Sequence, residues 1–284
     1  MTMRPRFARA CLAFAAVPAV AAAAVLVAGP AAADSTEPAQ TSRIGHPERD
    51  YMGSTIPGHQ KRAAAPERRA PDTSRASGVR GLDVSHWQGK INWKGVYADG
   101  ARFAYMKATE GTSYQDPSFD RNYPNSYYAG LVRGAYHFAL PNKSSGAAQA
   151  NYFADHGGGW SGDGKTLPGV LDIEYNPYGG TCYGKSDAGM RNWIADFINR
   201  YHKRTGRWAV IYTTTDWWKT CTGNYGGFAD HSPLWLARYA SSPGALPNGW
   251  SFYTFWQYND HGTYPGDQNV FNGSYKRLKV LATG

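Results

Sequence analysis

Two carboxylates, Asp172 and Glu174, stand two positions apart at the end of an apolar run, LPGVLDIE over residues 167–174. In an extended strand, side chains at i and i+2 share a face and lie roughly 7 Å apart. An apolar strand that brings two acids together works against its own burial, because an unpaired carboxylate resists leaving water. Such a pair can divide labour at a glycosidic bond, one acid protonated as proton donor and the other ionised beside the developing oxocarbenium charge. The same spacing fits a buried carboxylate pairing with an arginine at a strand end, so spacing alone leaves both readings open. Glutamate is scarce after residue 77, where Glu110 and Glu174 are the only two.

The elements that must hold this pair follow from the pattern around it. Short apolar runs alternate with amphipathic segments, which predicts parallel strands joined by helices. Strands are expected at Arg80–Ser85, Arg102–Ala108, Leu131–Phe138, Gly169–Glu174, Ala209–Thr213, Leu234–Tyr239 and Ser251–Tyr258, with a short eighth at Asn269–Phe271. Eight strands in this order suggest an α/β barrel. The clearest helix follows Ser186 as cap, carries the apolar stripe Met190, Trp193, Ile194, Phe197, Ile198 and Tyr201, and stops at Gly206. Others are expected at Ser145–His156 and at Pro117–Tyr128, where Pro124 should kink or divide the helix. After the fifth strand the connections shorten and become rich in Gly, Pro and Asn, so regular outer helices are not expected there.

In a parallel barrel, functional side chains gather at the carboxyl ends of the strands. Those ends carry Asp83, Glu110, Tyr136, His137, Asp172, Glu174, Tyr212, Trp235, Arg238, Trp256 and Gln257, with Asp267 in the last loop. Carboxylates ringed by Tyr and Trp suit a polysaccharide, whose pyranose faces stack on aromatic planes while polar groups take the hydroxyls. Other chemistries fit less well. The histidines show no metal-binding spacing, no GxSxG elbow precedes a helix, and Gly157-Gly158-Gly159 lacks the strand and the Lys-Ser/Thr of a phosphate loop. No metal or cofactor is implied. A histidine at a strand end, such as His137, is more often a hydrogen-bonded structural group than a base.

The chain divides by composition into three parts. Residues 1–33 pair Arg4, Arg6 and Arg9 with an apolar run from Ala10 to Val27 and a small-residue site at Ala31-Ala32-Ala33, the layout of a secretory signal peptide. Residues 34–77 hold mixed charges, Pro57, Pro66 and Pro71, and Tyr51 as their only aromatic, the composition of a pro-segment or flexible linker that adds nothing to the barrel. Residues 78–284 carry all 10 tryptophans and are long enough for one domain with a substantial core. An exported, soluble protein without membrane insertion is expected. Cys182 and Cys221 are then isolated in an oxidising compartment, where a disulfide is favoured over a metal pair or a reactive thiol. The formal charge of +9 falls to +5 for residues 78–284, with 20 Lys/Arg against 15 Asp/Glu. That field suits an anionic polymer such as a bacterial wall as well as it suits a merely basic surface, and beyond it nothing favours nucleic acid.

The strings GLDVSHWQG (81–89), YMKATEG (105–111), RGAYHF (133–138), LPGVLDIE (167–174), FWQY (255–258) and GDQNVFNG (266–273) together resemble glycoside hydrolase family 25. They are most similar to its secreted N,O-diacetylmuramidases of the Chalaropsis type. The resemblance spans Gly78 to the C-terminus and extends to a Tyr-Met-Gly like Tyr51-Met52-Gly53 in the pro-segments of similar proteins. It implies a TIM-like flattened barrel of eight strands with about five regular helices. The implied activity is a lysozyme's, cutting the β-1,4 bond between N-acetylmuramic acid and N-acetylglucosamine in peptidoglycan, as a monomer outside the cell. Carried over position by position, the acidic cluster falls on Asp83, Asp172, Glu174 and Asp267. Glu174 matches the general acid/base, Asp172 the residue supporting the adjacent positive charge, and the two cysteines match a paired position. Tyr136, His137, Tyr212, Trp235, Trp256, Gln257 and Glu110 are the expected substrate-binding residues. The Asp-x-Glu pair favours attack by the substrate's own 2-acetamido group with net retention, and inversion through Asp83 or Asp267 is the alternative.

Overall fold

Apolar runs bounded by short polar turns form the wall of a closed barrel. The computed structural model describes residues 50–60 and 78–284, so the expected export signal lies outside the described residues. The strands are β1 (Val79–Val84), β2 (Phe103–Glu110), β3 (Tyr114–Gln115), β4 (Val132–Phe138), β5 (Val170–Asp172), β6 (Val210–Thr213), β7 (Leu234–Ala237), β8 (Phe255–Asn259) and β9 (Asp267–Phe271). They run in the order β1-β9-β8-β7-β6-β5-β4-β2, and pairing of β1 with β2 closes the ring of eight. The unexpected β3 folds back on the end of β2 as an antiparallel edge.

One departure from the parallel pattern has a simple cause. Only residues 260–266 separate β8 from β9, whereas a crossover between parallel strands takes a dozen or more. The chain therefore turns back, and β9 runs antiparallel to both β8 and β1.

The helices are α1 (Ile56–Gln60), α2 (Trp93–Ala98), α3 (Phe119–Tyr128), α4 (Gly146–Asp155), α5 (Asp187–Thr205), α6 (Thr215–Thr222) and α7 (Tyr275–Thr283). The five from α3 to α7 are the regular ones. In α5 the Ser186 hydroxyl accepts from the Gly189 amide, Gly206 ends the helix in the left-handed region, and the expected stripe is buried. α3 runs through Pro124 undivided. Its Tyr123 and Tyr127 rings hold the Arg133 guanidinium between them at 4.5 and 4.6 Å, which ties the helix to β4. α6 corrects the expectation that helices vanish after the fifth barrel strand, because Thr214 caps it and Gly223 closes it. From there to Gly273 no α-helix forms.

The interior is aromatic at its base. Trp235 packs against Tyr105, Tyr212 and Phe255 at centroid distances of 4.9, 5.7 and 5.2 Å. Gly134 sits on β4 where any side chain would collide with the Tyr105 ring. The cysteines are joined, as expected, in a disulfide between Cys182 and Cys221, which links the segment after β5 to α6.

Closing a loop of 39 residues is worth about 4 kcal/mol in the chain-entropy treatment. Replacing both cysteines by alanine is expected to lower unfolding free energy by that order, read from denaturant titration. An unchanged midpoint would show that the crosslink constrains nothing in the unfolded chain.

Candidate active site

Alternation along each strand decides which side chains enter the barrel. On β1, Leu82 and Val84 pack outward with Trp93 and Val96, which turns Asp83 inward. Asp267 on antiparallel β9 is its register partner. One amide holds the two acids together: Gln257 Nε2 donates to Oδ2 of Asp83 and to Oδ2 of Asp267, each at 2.9 Å. Asn269 adds a second donor to Asp83 at 2.6 Å. Gln257 Oε1 in turn accepts from the hydroxyls of Tyr212 (2.6 Å) and Tyr239 (3.1 Å), which orients the amide.

β5 ends at Asp172, so Glu174 lies just beyond the strand rather than in it. The chain nevertheless stays paired with β6, the Ile173 amide donating to the Tyr212 carbonyl at 3.0 Å. Both acids consequently belong to one buried cluster with Asp83 and Asp267, and none of the four is more than 4% exposed. No ion pair among the described residues involves any of them, which removes the reading of a carboxylate paired with arginine. Among the described residues no N–H or hydroxyl donor reaches either oxygen of Asp172; its neighbour there is the Glu174 carboxyl, which can donate to it when protonated.

Burial without cations sets the protonation of this cluster. It pushes Glu174 up to about 7 against the hydrogen bonds from Thr55 and Gly53, and Asp83 up to about 7 against those from Gln257 and Asn269. Burial, then the charge of Glu174, lifts Asp172 well above the usual carboxylate range; burial, then Asp83, does the same to Asp267. A buried, proton-holding Glu174 is suited to give a proton to a leaving oxygen at neutral pH.

The other expected residues divide. Tyr136 and Tyr212 face the acids; the Tyr136 hydroxyl accepts from the Met52 amide at 3.3 Å. Glu110 lies at the end of β2 against Lys107 (2.6 Å). A bulge between Lys107 and Thr109 in the β2–β4 register lets these residues, three apart, meet on one side. Trp235 is fully buried beneath the acids, its Nε1 donating to Asn269, so it forms the floor rather than a stacking wall. Trp256 points out of the barrel into a small cluster with Tyr258 and Val270, because Gln257 takes the inward position beside it. His137 is likewise turned outward. Its ring joins Thr109 (2.8 Å) to Gln149 (2.9 Å) beside Phe153 and Phe197, and burial lowers it to about 4, which makes it a neutral structural group. Arg238 is exposed and donates to the Ser242 carbonyl.

Several residues of the site were not singled out from sequence. Tyr239 reaches within 3.3 Å of Asp267 Oδ2, and Tyr183 holds a buried hydroxyl without a partner, its charged form disfavoured by burial and then by Glu174 and Asp172. Tyr183 adopts a left-handed backbone next to the disulfide, and that neighbourhood was its only sequence signal. The larger omission is Asp50–Gln60. The expectation that residues 34–77 add nothing to the barrel fails here, since Met52 and Ile56 are fully buried. The Gly53 amide donates to Glu174 Oε1 at 2.7 Å and the Thr55 hydroxyl donates to Oε2. Composition concealed this because polar donors matched to buried acceptors, rather than apolar area, make much of the contact.

A closed barrel whose strand ends gather carboxylates, tyrosines and amides in this way defines a glycoside-hydrolysing barrel. The family profile described as glycosyl hydrolases family 25 matches residues 82–267, and the chain belongs to that family. It is 52% identical over 264 residues to lysozyme M1 of Streptomyces globisporus, covering 91% of this chain and 90% of that one. It is 51% identical over 210 residues to the N,O-diacetylmuramidase of Chalaropsis sp, covering 72% of this chain and all of that one. The solved muramidase from Acremonium alcalophilum superposes with a TM-score of 0.72 at 60% identity, covering 72% of this chain and 99% of that one.

Because its folded pKa is raised, Asp172 contributes most favourably below its unfolded value, and that contribution is lost as pH rises toward the folded one. Asp172→Asn is therefore expected to raise Tm at pH 7, each kcal/mol being worth roughly 2–4 °C in a domain of this size. The gain should shrink toward pH 4. Calorimetry at the two pH values checks it, and destabilisation at pH 7 would mean that the native carboxylate is stabilised by its site.

Proposed function

We propose that the barrel is a muramidase, hydrolysing the β-1,4 bond between N-acetylmuramic acid and N-acetylglucosamine in bacterial peptidoglycan, with Glu174 as general acid/base. The observation that carries this is the buried Asp172 and Glu174 pair, free of any cation and placed beside Tyr136 and Tyr212 at the mouth of the barrel. Membership of the family and the activities named for similar proteins support the substrate. Export through residues 1–33 and action as a monomer belong to the same reading. No helix among the described residues is long and apolar enough to cross a membrane.

In the mechanism, Glu174 protonates the glycosidic oxygen as the bond breaks. Asp172, a buried acceptor that no N–H or hydroxyl of the described residues reaches, accepts from the N–H of the substrate's 2-acetamido group. That bond favours its ionised form and steers the acetamide oxygen to the anomeric carbon. The ring closes to an oxazolinium ion, which Asp172 offsets. Glu174, now ionised, takes a proton from water as that water opens the ring, giving net retention. Asp83 and Asp267 lie beside the pair, tied to each other through the Gln257 amide.

Glu174→Gln is expected to preserve the fold and lower wall lysis by 10² to 10⁴ or more, the span general acid catalysis commonly supplies. In the parent enzyme kcat/KM should fall as pH rises through the region near 7 where Glu174 loses its proton, and a variant with near-normal turbidity clearance would displace Glu174 from the role.

The acetamide step is tested through product and inhibitor. Retained anomeric configuration in early nuclear magnetic resonance spectra and inhibition by a sugar thiazoline are expected. Inverted product, or a sugar trapped covalently on Asp172, would overturn the route while leaving the muramidase reading intact.

A further inference from the structure

Apart from Asp172 and Tyr183, the polar groups at the mouth of the barrel are engaged by the chain itself. Asp50 lies against Lys107, its carboxylate 3.1 Å from Nζ and its carbonyl accepting from the same ammonium, while the Tyr178 hydroxyl donates to it at 2.8 Å. Gly53 and Thr55 occupy both oxygens of Glu174. The Gly53 carbonyl accepts from the Tyr239 hydroxyl at 3.3 Å, and the Tyr239 amide donates to Gln60 at 3.0 Å. His59 lies flat on Tyr175, centroids 3.6 Å apart and planes 8° from parallel, in the geometry a pyranose face would adopt on that ring.

We propose that Asp50–Gln60 is a built-in inhibitor, a peptide that fills the sugar-binding cleft from within the same chain until the connection through residues 61–77 is cut. The proposal rests on the muramidase reading of this site. A general acid with both oxygens bonded to a peptide cannot meet a glycosidic oxygen, so the segment and the substrate exclude one another. The fit is made at Gly53, whose φ of +87° disfavours any side chain. A Cβ there would meet Gln257 Oε1 at 2.7 Å, Asp267 Oδ2 at 2.8 Å and the Tyr239 hydroxyl. The backbone thus lies directly on the acids, and Met52 and Ile56 anchor it on either side. Tethering supplies an effective concentration on the order of millimolar, which is lost when the chain is cut and the peptide diffuses away. Lys61-Arg62 and Arg68-Arg69 offer basic sites for such a cut. A solved muramidase 60% identical to this chain is matched over 99% of its length by 72% of this one, which supports a barrel that folds without the segment.

The test compares wall lysis by residues 34–284 with lysis by residues 78–284, and adds a synthetic peptide of residues 50–60 to the latter. The longer form is expected to be slower by about tenfold or more, given millimolar effective concentration. Gly53→Ala alone, and Met52→Asp with Ile56→Asp, should bring the longer form up to the rate of the barrel, while the peptide should raise KM for the barrel without changing kcat. Equal rates for the two forms, or a Gly53→Ala variant as slow as its parent, would overturn the inhibitor. If the barrel shows a cooperative thermal transition and yet fails to lyse walls, the muramidase reading falls. The seating of the segment is then read by calorimetry, where the peptide should bind the barrel and its Gly53→Ala version should not; absence of binding overturns it.

Discussion

Four carboxylates lie buried together with no cation paired to them among the described residues, and the architecture around the mouth of the barrel answers to that constraint. Taking a carboxylate out of water costs several kcal/mol even after relaxation, and unlike ion pairs these groups also repel one another. The cluster responds by holding protons, with Glu174 and Asp83 pushed up to about 7 and Asp172 and Asp267 raised well above the usual carboxylate range. A proton kept at neutral pH is what a glycosidic leaving group requires, so the cost of burial and the chemistry share one cause.

Neutral donors, rather than charges, finish the site. Gln257 spans Asp83 and Asp267 with one amide nitrogen and is itself aimed by Tyr212 and Tyr239. A lysine in that position would pull both acids down. The one buried cation nearby among the described residues, Lys107, is committed to Glu110 and Asp50, and a bulge in β2 makes its contact with Glu110 possible. Of the four acids, Asp172 alone meets no N–H or hydroxyl donor among the described residues, which suits it to the acetamide contact proposed above.

The segment Asp50–Gln60 completes the same logic from outside the barrel. It brings a backbone amide and a hydroxyl to Glu174 and a carboxylate to Lys107, so it meets the buried polar groups as a ligand would. Gly53 can lie this close to Gln257 and Asp267 because nothing projects from its Cα.

Much of this protein was legible in one dimension. Apolar runs located eight barrel strands within a few residues, the 3.6-residue stripe from Met190 to Tyr201 located α5, and the DIE triplet marked the acid pair, because local periodicity records which side is buried. Isolation of Cys182 and Cys221 foretold their bond. What the sequence could not decide was direction and partnership. Strand ends carry Trp256 and His137 as visibly as Gln257 and Tyr136, yet alternation sends the first two outward, and a short loop makes β9 antiparallel, which sets Asp267 opposite Asp83. A segment with the composition of a linker became part of the site because Met52, Gly53 and Thr55 found matching acceptors more than eighty positions away, the first at Tyr136 and the other two at Glu174. Composition and periodicity report how much surface must be buried and on which face; only closure of the chain on itself determines which polar groups then meet, since those pairings depend on distances that no local pattern encodes.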